Sequence, residues 1–101
     1  MTKKTYRNSN LILQTILEGI LRADQGKIYD EQGILKSDLI EFANLKAETA
    51  QKYFDKLESA GYIIADERQW GERKVTYYKL SEKGKERYKW FITINSELEE
   101  I

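Results

Sequence analysis

The sequence predicts a mainly helical α+β domain, with helices at both termini and a single β-hairpin interrupting the helical pattern. Apolar residues recur at helical spacing in four separate stretches, and after Gly61 this gives way to β-branched and aromatic residues flanking a Gly-containing tip. With 101 residues, 41% of them hydrophobic, the chain suits one compact core and leaves no room for a second. Residues 8–101 are therefore read as a single domain, and residues 1–7 as a basic arm expected to be solvated and disordered.

The first helix starts at Asn8 or Ser9, either of which suits an N-cap. Leu11, Ile12, Leu13, Ile16, Leu17, Ile20 and Leu21 then recur at helical spacing up to about Ala23. That stripe is wider than one small core face needs, so part of it is expected to be covered by another chain. Asp24 to Gly33 has turn chemistry and no period, and reads as a loop. Ile34 and Leu35 resume apolar burial. Ser37 is expected to cap a short helix through Leu39, Ile40, Phe42 and Ala43, with Asp38 and Glu41 near its positive end. Asn44 and Leu45 break it. Ala50, Tyr53, Phe54, Leu57 and Ala60 then fall on one face of a third helix, with Gly61 placed as its stop.

Tyr62 to Ala65 and Val75 to Leu80 form the arms of the hairpin, around a polar tip of Gln69, Trp70, Gly71 and Glu72. Ser81 is expected to cap a fourth helix in which Tyr88, Phe91, Ile94 (or Ile92), Leu98 and Ile101 keep an apolar spacing. Phe91, Ile94, Leu98 and Ile101 step by 3, 4 and 3, the rhythm of a helix-pairing seam. Together with Leu13 and Leu17 of the first helix they are the candidate homodimer interface, and the last helix is read as a dimerisation helix.

The chain contains neither Cys nor His, which removes disulfides, Cys/His zinc sites, Ser–His and Cys–His catalysis and histidine switches. No phosphate-cradling glycine motif or nucleophile motif accompanies the carboxylates, so neither catalysis nor a metal or cofactor is expected. The apolar stretch from Leu11 to Leu21 is broken by Gln14, Thr15 and Glu18, and no small-residue cleavage site follows. A cytoplasmic protein without membrane attachment is the expectation. Lys+Arg 17 balances Asp+Glu 17, but the charges segregate. Lys3, Lys4 and Arg7 stand without an acid, and acids prevail between residues 26 and 45. Arg68, Arg73 and Lys74 outnumber Glu72; Lys83, Lys85, Arg87 and Lys89 outnumber Glu86; Glu97, Glu99 and Glu100 follow.

Helix, helix, tight turn, helix, hairpin, helix is the order of a winged helix-turn-helix. Three strings resemble the small archaeal-type winged-helix transcriptional regulators. The first runs from Gly33 to Ile40 (Gly-Ile-Leu-Lys-Ser-Asp-Leu-Ile) and continues in Ala43-Asn44-Leu45. The second is Tyr53-Phe54-Asp55-Lys56-Leu57-Glu58-Ser59-Ala60-Gly61-Tyr62-Ile63, and the third Tyr78-Lys79-Leu80-Ser81-Glu82-Lys83-Gly84. The resemblance covers about Arg7 to Trp90 and is more specific for winged helices as a class than for any one regulator.

What the resemblance implies is a third helix lying in the DNA major groove and a wing touching the backbone or minor groove, from a dimer. By position, Lys46, Ala47, Glu48, Thr49, Gln51 and Lys52 become the groove-facing surface. Lys46 stands where such proteins often carry a Ser or Thr cap, and Glu48 puts an acid near phosphates. Lys36 and Ser37 at the start of the second helix, with Arg68, Trp70, Arg73 and Lys74 on the wing, complete the candidate DNA contacts. Their chemistry suits the task, since cations hold phosphates while amides, hydroxyls and ammonium groups reach base edges. Trp70 reads equally as a ring in a groove or against a partner and as a ring folded back over the hairpin. Tyr88, Trp90 and Phe91 read as core or dimer surface. The expected function is sequence-specific binding of double-stranded DNA by a transcriptional regulator. The alternative is a winged-helix protein-interaction module without DNA binding, favoured by zero net charge, Glu48 and the acidic tail.

Overall fold

The computed structural model describes residues 9–25 and 33–99. Helix α1 spans Ser9–Gln25, two residues beyond the predicted end at Ala23, with Arg22 in its last turn paired to Glu18. A cation there complements the helix dipole, and the pair is one helical turn apart. The basic arm, Asn8 as a cap, residues 26–32 of the predicted loop and Ile101 of the predicted seam lie outside the described residues.

Ile34 and Leu35, read from the sequence only as renewed burial, form a short strand, β1. They pair antiparallel with Tyr78 and Tyr77. Gly33 makes this approach possible, because its φ is 83° and a Cβ there would lie 2.3 Å from the Tyr78 carbonyl oxygen. The chain passes directly from β1 into α2, Lys36–Ala43. This corrects the expected cap. Pairing of β1 fixes Leu35 in an extended conformation as the N-cap, with no side-chain cap bond, while Ser37 sits exposed inside the helix.

Asn44 closes α2 in the left-handed conformation (φ 57°, ψ 51°). The Asn44 N–H donates to Glu41 O at 3.1 Å and the Leu45 N–H to Ile40 O at 3.3 Å. Helix α3, Ala47–Ser59, follows at once with Lys46 as an N-cap that makes no side-chain cap bond. Ala50, Phe54 and Leu57 are buried as the period predicts, whereas Ala60 is exposed because the helix has already ended. Gly61 is the stop: its N–H reaches Glu58 O at 3.0 Å and the Tyr62 N–H reaches Leu57 O at 2.9 Å, a Schellman closure.

Strands β2, Ile63–Trp70, and β3, Arg73–Leu80, pair from Ile63↔Leu80 to Trp70↔Arg73. The turn is therefore only Gly71 and Glu72, and Gln69 and Trp70 belong to the strand rather than to the tip. The sheet order is β1-β3-β2. Ser81 caps α4, Glu82–Glu99, its Oγ accepting the Gly84 N–H at 2.9 Å and donating to Gly61 O at 2.6 Å. Gly84 lets the first turn of α4 press on the hairpin entrance, where a Cβ would stand 2.0 Å from Tyr62 O.

Ile16, Leu17 and Ile20 of α1, Leu39 and Ala43 of α2, Ala50, Phe54 and Leu57 of α3, and Ile63, Tyr78 and Leu80 of the sheet enclose one core. Phe54 and Tyr78 meet at 5.0 Å between ring centroids. Leu17 is 0% exposed, which corrects its assignment to a dimer interface: the chain's own core surrounds it. Leu13 and Phe91 also pack, partly buried, against this core. Helix α4 crosses α1, with Asn95 Nδ2 donating to Gln14 Oε1 at 2.6 Å. Among the described residues, four helices and a three-stranded antiparallel sheet, with helices at both ends, form a winged-helix α+β fold.

Candidate nucleic-acid interface

With Ala50, Phe54 and Leu57 turned into the core, helical geometry drives the remaining positions of α3 outward. Lys46, Ala47, Glu48, Thr49 and Lys52 are all exposed. Thr49, Lys52, Tyr53 and Lys56 line a shallow groove of about 270 Å³ along this face. Lys56 was missed in the sequence, although its place four residues after Lys52 puts it on the same side. Gln51 does not stand free on the face. It is partly buried, and its Nε2 donates to Asp55 Oδ1 at 2.8 Å.

The wing's cations divide in two. Arg68 donates through Nε at 3.0 Å and Nη2 at 2.7 Å to Asp66 Oδ2, and its guanidinium lies 5.4 Å from the Tyr77 ring centroid. Arg73 and Lys74 are exposed and take part in no ion pair among the described residues. Trp70 folds back over the hairpin in part, its ring edge-on to Tyr77 at 6.2 Å, and remains 48% exposed.

Pairing of β1 with β3 brings the start of α2 beside the wing. A hollow of about 290 Å³ results, with Lys36, Ser37, Arg73 and Lys74 around it, Leu35, Ile40 and Val75 beneath and Trp70 at the rim. This juxtaposition is not visible along the chain, because Lys36 and Glu72 at the turn are 36 positions apart and a two-residue strand brings them together. Acids border the region: Asp38 and Glu41 on α2 and Glu48 on α3 are exposed.

The basic run at the start of α4 is largely engaged within the chain. Lys83 Nζ donates to Ala60 O at 3.0 Å, Lys85 lies 3.6 Å from Glu82, and Arg87 binds Glu86 while covering the Trp90 ring at 4.3 Å. Burial pushes the Tyr78 hydroxyl above its ordinary pKa despite the opposing hydrogen bond from Gln51. Burial, reinforced by Glu18, raises Tyr88 in the same sense. Among the described residues no group of three or more acids could hold a metal ion, and no helix is long and apolar enough to cross a membrane.

This arrangement of helices and wing recurs in solved structures. The chain superimposes on smu.1704 from Streptococcus mutans UA159 with a TM-score of 0.72 and 20% identity, over 96% of this chain and 87% of that one. It also superimposes on Sso10a-2, a DNA-binding protein from Sulfolobus solfataricus, with a TM-score of 0.60 and 26% identity, over 93% and 87% of the two chains. No family model matches the chain, and no curated protein does.

Proposed function

We propose that the protein binds double-stranded DNA in a sequence-specific way, with α3 in the major groove and the wing on the backbone, and acts as a transcriptional regulator. The observation that carries this reading is the hollow where Lys36 and Ser37 at the start of α2 converge with Arg73 and Lys74 of the wing. Three cations and a hydroxyl grouped where α2 begins beside the wing match what is needed to grip a phosphate strand, while the exposed face of α3 carries the donors that reach base edges. Likeness to a DNA-binding protein of the same fold supports it. Lys46, Thr49, Lys52, Arg73, Lys74 and Lys36 are the principal contacts in this reading, while Gln51 and Arg68 are occupied within the chain.

The reading includes a homodimer. Trp90, Ile94 and Leu98 of α4 are 55%, 47% and 51% exposed, and a spacing of four places them along one stripe. Two copies joined there would present two α3 helices to one duplex, which multiplies affinity without new contacts.

Fluorescence anisotropy with random duplex DNA at two salt concentrations tests the DNA reading, and light scattering tests the dimer. Binding that weakens steeply with salt and a mass near twice that of one chain are the expected results. No complex at low salt, from protein shown folded by circular dichroism, turns the reading to a protein-interaction module, which exposed Asp38, Glu41 and Glu48 would suit. A monomer at tens of micromolar, with Leu98→Glu unchanged from it, removes the dimer.

A further inference from the structure

We infer that Glu48 makes α3 select a cytosine, by accepting a hydrogen bond from the exocyclic N4 amino group in the major groove; this rests on the DNA-binding reading above. Glu48 is exposed in the first turn of α3, with Lys46 before it and Lys52 one turn beyond. Acid before base at this spacing is the order that favours an ion pair on a helix. Yet Glu48 enters none of the ion pairs among the described residues. Asp55 of the same helix is held by Gln51, so the Glu48 carboxylate is the free acceptor at the leading end of a cationic face.

A carboxylate can only accept, and this decides which base it tolerates. In the major groove guanine presents two acceptors, thymine an acceptor and a methyl group, and adenine an acceptor beside its donor. Cytosine alone presents a donor with no acceptor next to it. Elsewhere along the duplex the same carboxylate meets phosphates and repels them. Glu48 therefore weakens binding to most sequences and spares those with cytosine opposite it, so that it discriminates by excluding rather than by attracting. A merely structural role, an acid favoured by the helix dipole in the first turn, predicts no dependence on base identity.

Selection from randomised duplexes by the natural protein, Glu48→Gln and Glu48→Ala, each checked for folding by circular dichroism, tests the assignment. The natural protein should fix a cytosine at one position, and changing it to thymine should weaken binding about tenfold or more. Glu48→Ala should bind sequences without that cytosine more tightly, gain nothing on those that have it, and lose the preference at that position only. Glu48→Gln should move the preference toward adenine, whose donor and acceptor suit an amide. If the natural protein binds duplex DNA with the same base profile as Glu48→Ala, the assignment is overturned and the DNA-binding reading stands. If the natural protein forms no complex at low salt, both fall together.

Discussion

Arg68 and Arg73 stand on opposite strands near the end of one hairpin, across from Val75 and Trp70 respectively, and carry the same charge, yet their surroundings give them different capacities. Arg68 is bound to Asp66 on its own strand face, whereas Arg73 opens on the hollow beside Lys36. Arg73→Ala should weaken binding to every duplex by a similar factor and reduce the salt dependence, because a phosphate contact carries no base information. Arg68→Ala should change affinity far less, and binding isotherms across salt would separate the two. Basic residues on the wing were legible from the sequence, but their availability was not, since the partner that occupies Arg68 is chosen by strand pairing. The buried phenols make a separate prediction about pH. Below about pH 10, Tyr78 and Tyr88 are neutral in both folded and unfolded chains and contribute nothing to pH dependence. Above it the unfolded chain loses these protons first, so stability should fall as pH rises through the raised folded values. Thermal melts between pH 8 and 11 should show the decline begin near pH 10, and Tyr78→Phe should reduce it.

Of the serines read as caps for the second and fourth helices, Ser81 serves and Ser37 does not. Ser81 ties three elements together, since its Oγ takes the free N–H of Gly84 and gives its proton to the carbonyl of Gly61, in the turn between α3 and β2. Ser81→Ala should cost about 0.5–2 kcal/mol, toward the upper end because a second bond is lost, and urea denaturation would measure it. Ser37→Ala should be nearly neutral for stability, because α2 takes its start from the strand before it. Helices with several turns were readable because their burial repeats many times over, as in α3 where Ala50, Phe54 and Leu57 face inward. A two-residue strand cannot display any period, so Ile34 and Leu35 looked only apolar and the third strand went unseen. The exposed side of α3 was legible as the complement of its buried side. The hollow at the wing depends on β1 and was hidden with it.

On the scale of the whole molecule, the hairpin and the helix-turn-helix join neighbours in sequence, while α1 and α4 join the two ends of the described chain. Asn95 and Gln14 are 81 residues apart and share the hydrogen bond where these helices cross. That distance orders events in time. Local turns form first because they close short loops, and a contact closing most of the chain brings its reward only after the entropy of a long loop has been lost. The crossing of α1 and α4 therefore belongs to the native side of the folding barrier. Asn95→Asp keeps the shape, places a charge where the side chain is 6% exposed and loses the donor to Gln14. In stopped-flow experiments it should speed unfolding about tenfold, with refolding little altered. Slowed refolding with unchanged unfolding would place the crossing in the nucleus instead. The helices at the two ends thus act as a latch on an already assembled helix-turn-helix and wing, governing how long the folded state lasts rather than how quickly it is reached.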